Sequence, residues 1–288
     1  MSMTVYFSFQ AALCFSIAHI LIRRGLVGSN AMTGSLISLT MSAVVLWCAL
    51  PFFVPLSALA NPALWIFVAA GVFAPGIGRT LSYVGIEKIG VARSVPIANS
   101  SPIFASIFAV IFLAESWVLQ NIAGTLLVIG GVIVLSMAKP AQGKWRKIDV
   151  IYPLVGAVAF GASAILRKAG LGLVNIPLLA AAVTAGTAAL FSFALLQIRG
   201  GRQAFKLNPR SASWLFSAGV FNTAAMLSVF FALSHGKVVI VEPLVSSNPV
   251  TTLLLTSIFL RDVESLTLRV ILGAALTVIG TILVVLVK

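Results

Sequence analysis

Apolar residues along this chain come in runs of about 20, separated by short breaks rich in Gly, Pro, Asn and charge. A helix that crosses a bilayer needs about that many predominantly apolar residues. Ten runs qualify, near 4–22, 31–54, 63–85, 91–113, 118–138, 150–167, 178–198, 213–234, 238–260 and 266–287. The pattern predicts an all-α integral membrane protein with ten transmembrane helices. The polar breaks are too short to hold a soluble catalytic domain.

The ten runs are five, written twice. Phe15 to Leu26 resembles Phe160 to Leu171 at a constant offset, with Arg23 over Lys168 and Gly25 over Gly170. Ala70-Gly71-Val72-Phe73 matches Ala218-Gly219-Val220-Phe221, and Glu115 and Gly124 match Glu264 and Gly273. A unit with an odd number of spans leaves the membrane on the side opposite to its entry. The halves are therefore expected as two inverted five-helix repeats, related by a pseudo-two-fold axis in the membrane plane. The first repeat covers 1–138, a basic linker loop 139–149, and the second repeat 150–288. The first run would pass for a signal peptide, but its counterpart in the second half argues that it is retained.

Composition agrees with the pattern. Of 288 residues, 60% are hydrophobic and 9% charged, too little polar surface for a soluble domain of this size. The net charge of +13 points first to nucleic acid, but most Lys and Arg flank apolar runs, where they set orientation in the bilayer; no nucleic-acid partner is expected. The loops after spans 1, 3, 5, 7 and 9, with the residues bordering them, hold 14 Lys and Arg, and the opposite side holds 4. The positive-inside rule puts those five loops in the cytoplasm and both termini outside, with a bacterial inner membrane as the expected location. Trp65, Trp117 and Trp214 fall at span ends, where indoles favour the headgroup region. Cys14 and Cys48 read as packing residues without metal-ligand spacing. Gly124, Gly130, Gly131, Gly273 and Gly280 sit among Val, Leu and Ile in spans 5 and 10. Small residues there let helices approach closely, as scaffold or, alternatively, as the contact of a homodimer.

The candidate binding site is a phrase that occurs in both halves: Pro96 to Pro102, Pro-Ile-Ala-Asn-Ser-Ser-Pro, and Pro243 to Pro249, Pro-Leu-Val-Ser-Ser-Asn-Pro. Proline lacks an N–H and clashes with the carbonyl four residues back, so Pro102 should free the carbonyl of Ala98 and Pro249 that of Val245. In hydrocarbon such carbonyls must face protein, water or ligand, which places both kinks on the bundle interior. Asn99, Ser100, Ser246, Ser247 and Asn248 would then supply donors and acceptors, with Pro96, Pro102, Pro243 and Pro249 as hinges. The bland alternative is that these side chains only satisfy the kinks and hold neighbouring helices together.

Charge inside a span is costly, roughly 2.5–3.5 kcal/mol per exposed residue on insertion scales, so each instance carries information. Arg79 follows the Pro75-Gly76-Ile77-Gly78 break and has no charged counterpart in span 8. Its guanidinium suits a carboxylate or phosphate, or a structural ion pair. Glu242, beside Pro243, reads as the ion-pair partner of Arg79, a proton-coupling carboxylate, or a carboxylate at a helix start. His19, one turn before Arg23, is the other coupling candidate, with packing as the alternative. Tyr83 shares a face with Arg79. With Asn222, Phe73 and Phe221 it is expected to wall a pocket. Glu115 and Glu264 read as helix-start carboxylates. No nucleotide-binding Gly-Lys-Ser/Thr loop, His-Glu-x-x-His or Gly-x-Ser-x-Gly occurs, so neither a cofactor, a metal nor an enzymatic activity is expected.

Ten spans in two repeats, each with Pro-x-x-x-x-x-Pro, then Phe-Leu, then Glu, then a Gly-rich span, resemble the EamA-type branch of the drug/metabolite transporter superfamily. The resemblance covers nearly the whole chain. It implies a basket-like bundle with spans 3, 4, 8 and 9 around a central cavity, spans 5 and 10 as scaffold, and secondary transport or export of small metabolites such as amino acids. Many relatives have cytoplasmic termini, the reverse of what the charge count predicts here. Arg79 favours an amino-acid-like or carboxylated substrate, with protons as the coupling ion. The alternatives are a lipid-linked phosphate flippase and a non-transporting membrane interaction or regulatory protein.

Overall fold

The computed structural model describes residues 3–113, 119–137, 146–198, 200–236, 241, 244–245, 248–260 and 267–285. Among them the secondary structure is helical, with one isolated bridge, Ser29 to Leu207. The helices are α1 Met3–Gly25, α2 Ala31–Phe53, α3 Leu64–Ile89, α4 Val91–Ala98, α5 Ser101–Leu113, α6 Leu119–Met137, α7 Ile151–Leu173, α8 Pro177–Ile198, α9 Pro209–His235, α10 Asn248–Phe259 and α11 Leu268–Val285. Six of the described helices, α1, α2, α3, α7, α8 and α9, are long and apolar enough to cross a membrane. Their outer faces carry large apolar side chains: Phe52 is 82% exposed, Trp65 74% and Leu190 71%. Such a surface suits lipid rather than water.

Local chemistry sets the helix ends. The Asn30 side chain accepts from the Thr33 amide at the start of α2, and the Asn208 side chain accepts from the Ser211 amide at the start of α9, where Pro209 is the first helical residue. Gly90, at φ 82°, turns the chain between α3 and α4 in a conformation that a Cβ disfavours.

Helix pairing respects the duplication. The largest interfaces join α1 to α9, α11 to α6 and α2 to α8, and α7 lies along the length of α3. Exchanging the halves converts α1–α9 into α7–α3 and returns the other two pairs to themselves. Direction follows from single contacts. Arg23 of α1 donates to the Ile86 carbonyl, so α1 and α3 end on the same side, whereas Gly170 near the end of α7 lies against Phe67 near the start of α3, and Pro153 near the start of α7 lies against Gly85 near the end of α3. Hence α7 runs opposite to its counterpart α1. Basic residues collect at one end of the bundle: Ser29, beyond α1, donates to the Lys206 carbonyl, and Lys88 pairs with Asp149 at 3.8 Å.

Spans 5 and 10 meet as α6 and α11, at equivalent glycines. A Cβ on Gly131 would lie 2.7 Å from the Gly273 carbonyl oxygen, and one on Gly280 2.6 Å from that of Gly124. Gly130 has nothing within 4 Å of such a Cβ and takes no part. These glycines therefore form a contact inside the bundle.

Other expectations need correction. Span 4 is two helices, α4 and α5, because Asn99 and Ser100 form a turn rather than a kink. Span 3 runs on to Ile89 and span 6 to Leu173. Cys48 is exposed on the outer face rather than packed. Trp117, Glu115 and Glu264 lie outside the described residues.

Candidate functional site

The turn between α4 and α5 follows from its prolines. Pro102 is the second residue of α5, where a missing N–H costs little, and Pro249 holds the same place in α10. At Pro102 the helix restarts rather than bending. At the turn the Ser100 amide donates to the Ile97 carbonyl at 3.1 Å and the Ser100 hydroxyl to the same oxygen at 2.7 Å. Ser100 therefore closes the turn and does not line the cavity. Pro96 is buried within α4. Glu242, Pro243, Ser246 and Ser247 lie outside the described residues.

A cavity of about 140 Å³ sits against both phrases. His19, Arg79, Tyr83, Asn99, Asn222 and Asn248 all line it, as do Ala98 and Val245, whose carbonyls the prolines were expected to free. Asn99 and Asn248 pair reciprocally across the halves. Asn99 Nδ2 donates to Asn248 Oδ1 at 3.2 Å and Asn248 Nδ2 to Asn99 Oδ1 at 2.9 Å. A reciprocal pair of side chains thus ties the first phrase to the second. Ser16 of α1 also donates to the Asn248 carbonyl at 3.0 Å.

Arg79 is placed by an unusual stretch of backbone. Val72–Gly78 is wound as a π-helix, and the Arg79 amide reaches back to the Ala74 carbonyl. Pro75 has no amide to donate, and such bulges recur at functional sites because they re-aim side chains. The Arg79 side chain is only 7% exposed, and its Nη1 has no hydrogen-bond partner. No carboxylate pairs with it among the described residues. His19 stacks on Phe15 with ring centroids 6.4 Å apart, and its Nδ1 is likewise buried without a partner. A buried donor left unmade costs roughly 1–3 kcal/mol, and more when charged.

One turn beyond Arg79, the Tyr83 hydroxyl donates to Ser38 Oγ at 3.2 Å, and Asn222 Nδ2 reaches both Tyr83 Oη at 3.0 Å and Ser38 Oγ at 3.1 Å. Tyr83→Phe removes the centre of this cluster and is expected to lower stability by about 1 kcal/mol. A thermal melt of the purified variant checks it. Neither Phe73 nor Phe221 lines the cavity. Phe73 points outward at 41% exposure, and Phe221 packs into the α1, α3 and α9 core. Phe15 and Phe160, equivalent positions in the two halves, supply aromatic wall together with Phe230.

Sequence reasoning missed two contributors. Arg167 lines the cavity with its guanidinium 6.0 Å from the Phe230 ring centroid. It was assigned to a span end, but α7 continues for six residues beyond it. Ser38 carries no charge to mark it in an apolar run, yet Ser35, Ser38 and Ser42 share one face of α2, and all three hydrogen-bond to α3 or α9.

Helices long enough to cross a bilayer, arranged around an arginine- and amide-lined cavity, define a multi-pass membrane protein with a polar cavity among its helices. The chain belongs to the EamA-like transporter family, which matches residues 2–137 and 147–286, one match to each repeat. The family is one of transporters rather than enzymes. A crystal structure of a protein 17% identical to the chain superposes with a TM-score of 0.67, covering 97% of this chain and 95% of the other, which establishes a shared fold. No curated protein sequence matches the chain.

Proposed function

We propose that the chain is a secondary transporter that exports a small metabolite carrying an anionic group, amino-acid-like or carboxylated, by alternating access around the central cavity. In this reading ten transmembrane helices form two inverted repeats, over 1–138 and 150–288, in a bacterial inner membrane with both termini outside. The opposed directions of α1 and α7, and the basic residues at one end of the bundle, support that arrangement.

The observation that carries the substrate class is Arg79. A guanidinium buried in a low-dielectric cavity with an unpartnered Nη1 is a poor stability device and a good receptor for an anion. Tyr83, Asn99, Asn222 and Asn248 add donors and acceptors, and the aromatic wall gives apolar contact. The prolines serve as hinges, since the first phrase restarts its helix at a residue that needs no amide and Pro249 holds the corresponding place in α10. His19 and Glu242 are the proton-coupling candidates.

Purified protein in proteoliposomes is expected to give saturable, gradient-driven flux of a carboxylated solute and none of the matching amide. Absence of saturable flux across a panel of amino acids and carboxylates would overturn the reading.

A further inference from the structure

We propose that the cleft between α1, α9 and α10 binds an anionic phospholipid, with its phosphate at Arg24 and Arg210 and an acyl chain along the apolar floor. The cleft shares no lining residue with the central cavity among the described residues, and holds about 980 Å³. Its floor includes Leu21 and Leu255, and Phe259 and Trp214 form its rim at 55% and 37% exposure. Arg24 and Arg210 supply the charge, and the described residues that line the cleft include no carboxylate.

Three observations favour a lipid over other occupants. First, the apolar and basic parts of the cleft are adjacent, the polarity order of a phospholipid entering from the bilayer. Second, the cleft lies at the basic end of the bundle, near the α1 end and the α9 start. In the proposed orientation that end faces the leaflet rich in anionic lipid, where basic pockets between helices hold phosphate headgroups. Third, Trp214 sits on the rim beside both arginines, at the level where an indole marks the headgroup boundary. Arg24 donates to the Phe259 carbonyl at 2.6 Å, which anchors its stem across the cleft between α1 and α10. The bound lipid would therefore touch three helices from both halves and favour the packing that brings them together.

The test is retention of lipid by the purified full-length chain, read by native mass spectrometry and by thermal midpoint. Phosphatidylglycerol is expected to stay bound and raise the midpoint, while phosphatidylcholine with the same acyl chains does neither. Arg210 is exposed, so Arg210→Gln leaves the packing intact and should weaken phosphatidylglycerol binding by about fivefold. Leu255→Trp fills the floor without touching charge and should also weaken it. Arg24→Gln should act in the same direction, but it removes a helix–helix hydrogen bond as well, so the first two variants decide the matter. Equal retention of the zwitterionic lipid, or unchanged retention in both Arg210→Gln and Leu255→Trp, would overturn the proposal. So would glycerol phosphate, which lacks acyl chains, raising the midpoint as far as the lipid does.

Discussion

Replacing Arg79 by alanine is expected to lower kcat/KM for an anionic substrate by about two to three orders of magnitude while leaving the protein as stable as before, or more so. Truncating one partner of a desolvated charge pair costs about 2–5 kcal/mol, which sets the size of the kinetic effect. The stability half of the prediction rests on the buried Nη1 without a partner. A guanidinium held in a structural ion pair would instead leave a buried charge behind, and its removal would destabilise by about 3–5 kcal/mol. Arg79→Lys keeps the charge but not the planar fork, so it should recover part of the flux. Flux in proteoliposomes and a thermal melt on the same preparations separate the two roles. A large loss of stability with unchanged flux would reassign Arg79 to architecture.

Gly131→Val and Gly280→Val are expected to destabilise by at least about 2 kcal/mol each, to a similar extent, because each new Cβ meets the backbone of the facing helix. Backbone cannot move aside as a flexible side chain can, so α6 and α11 must separate. Gly130→Val is the control. It adds the same atoms one residue away, into open space, and should leave the apparent melting temperature within a degree or two. The near-equality of the two large effects is itself a result of the duplication, since Gly131 and Gly280 are counterparts that face Gly273 and Gly124. If Gly131→Val melts like Gly130→Val, the helices are not held by this contact.

Much of this architecture could be read from residue patterns because hydrophobic run length and repetition are strong signals in a membrane chain. The phrases at Pro96 and Pro243 were legible as a candidate site because polar residues between prolines are costly in an apolar helix. Their detailed form was not. Whether Pro102 kinks a helix or begins a new one depends on the turn that Ser100 closes onto Ile97, a local hydrogen-bond choice invisible to spacing. Phe73 was misassigned because the π-helical turn shifts the register of α3, so that Ala74 and Pro75 face the cavity instead. Arg167 was lost for a different reason. Two adjacent charges, Arg167 and Lys168, end an apolar run on any hydropathy count, yet α7 continues because Gly170 and Leu171 pack against Phe67. Tertiary packing decided that boundary.

The central claim is that the two phrases form one site that opens to each side of the membrane in turn. Asn99 and Asn248, hydrogen-bonded across the halves, are where that claim is most exposed. In a background with Cys14→Ser and Cys48→Ser, Asn99→Cys and Asn248→Cys can each be labelled with a membrane-impermeant maleimide from either face of oriented vesicles. Labelling of each position from both faces, with a ratio that shifts when a transported carboxylate is added, is the predicted result. Labelling from one face only, or none, unchanged by any solute, would contradict alternating access and with it the account of how this chain works.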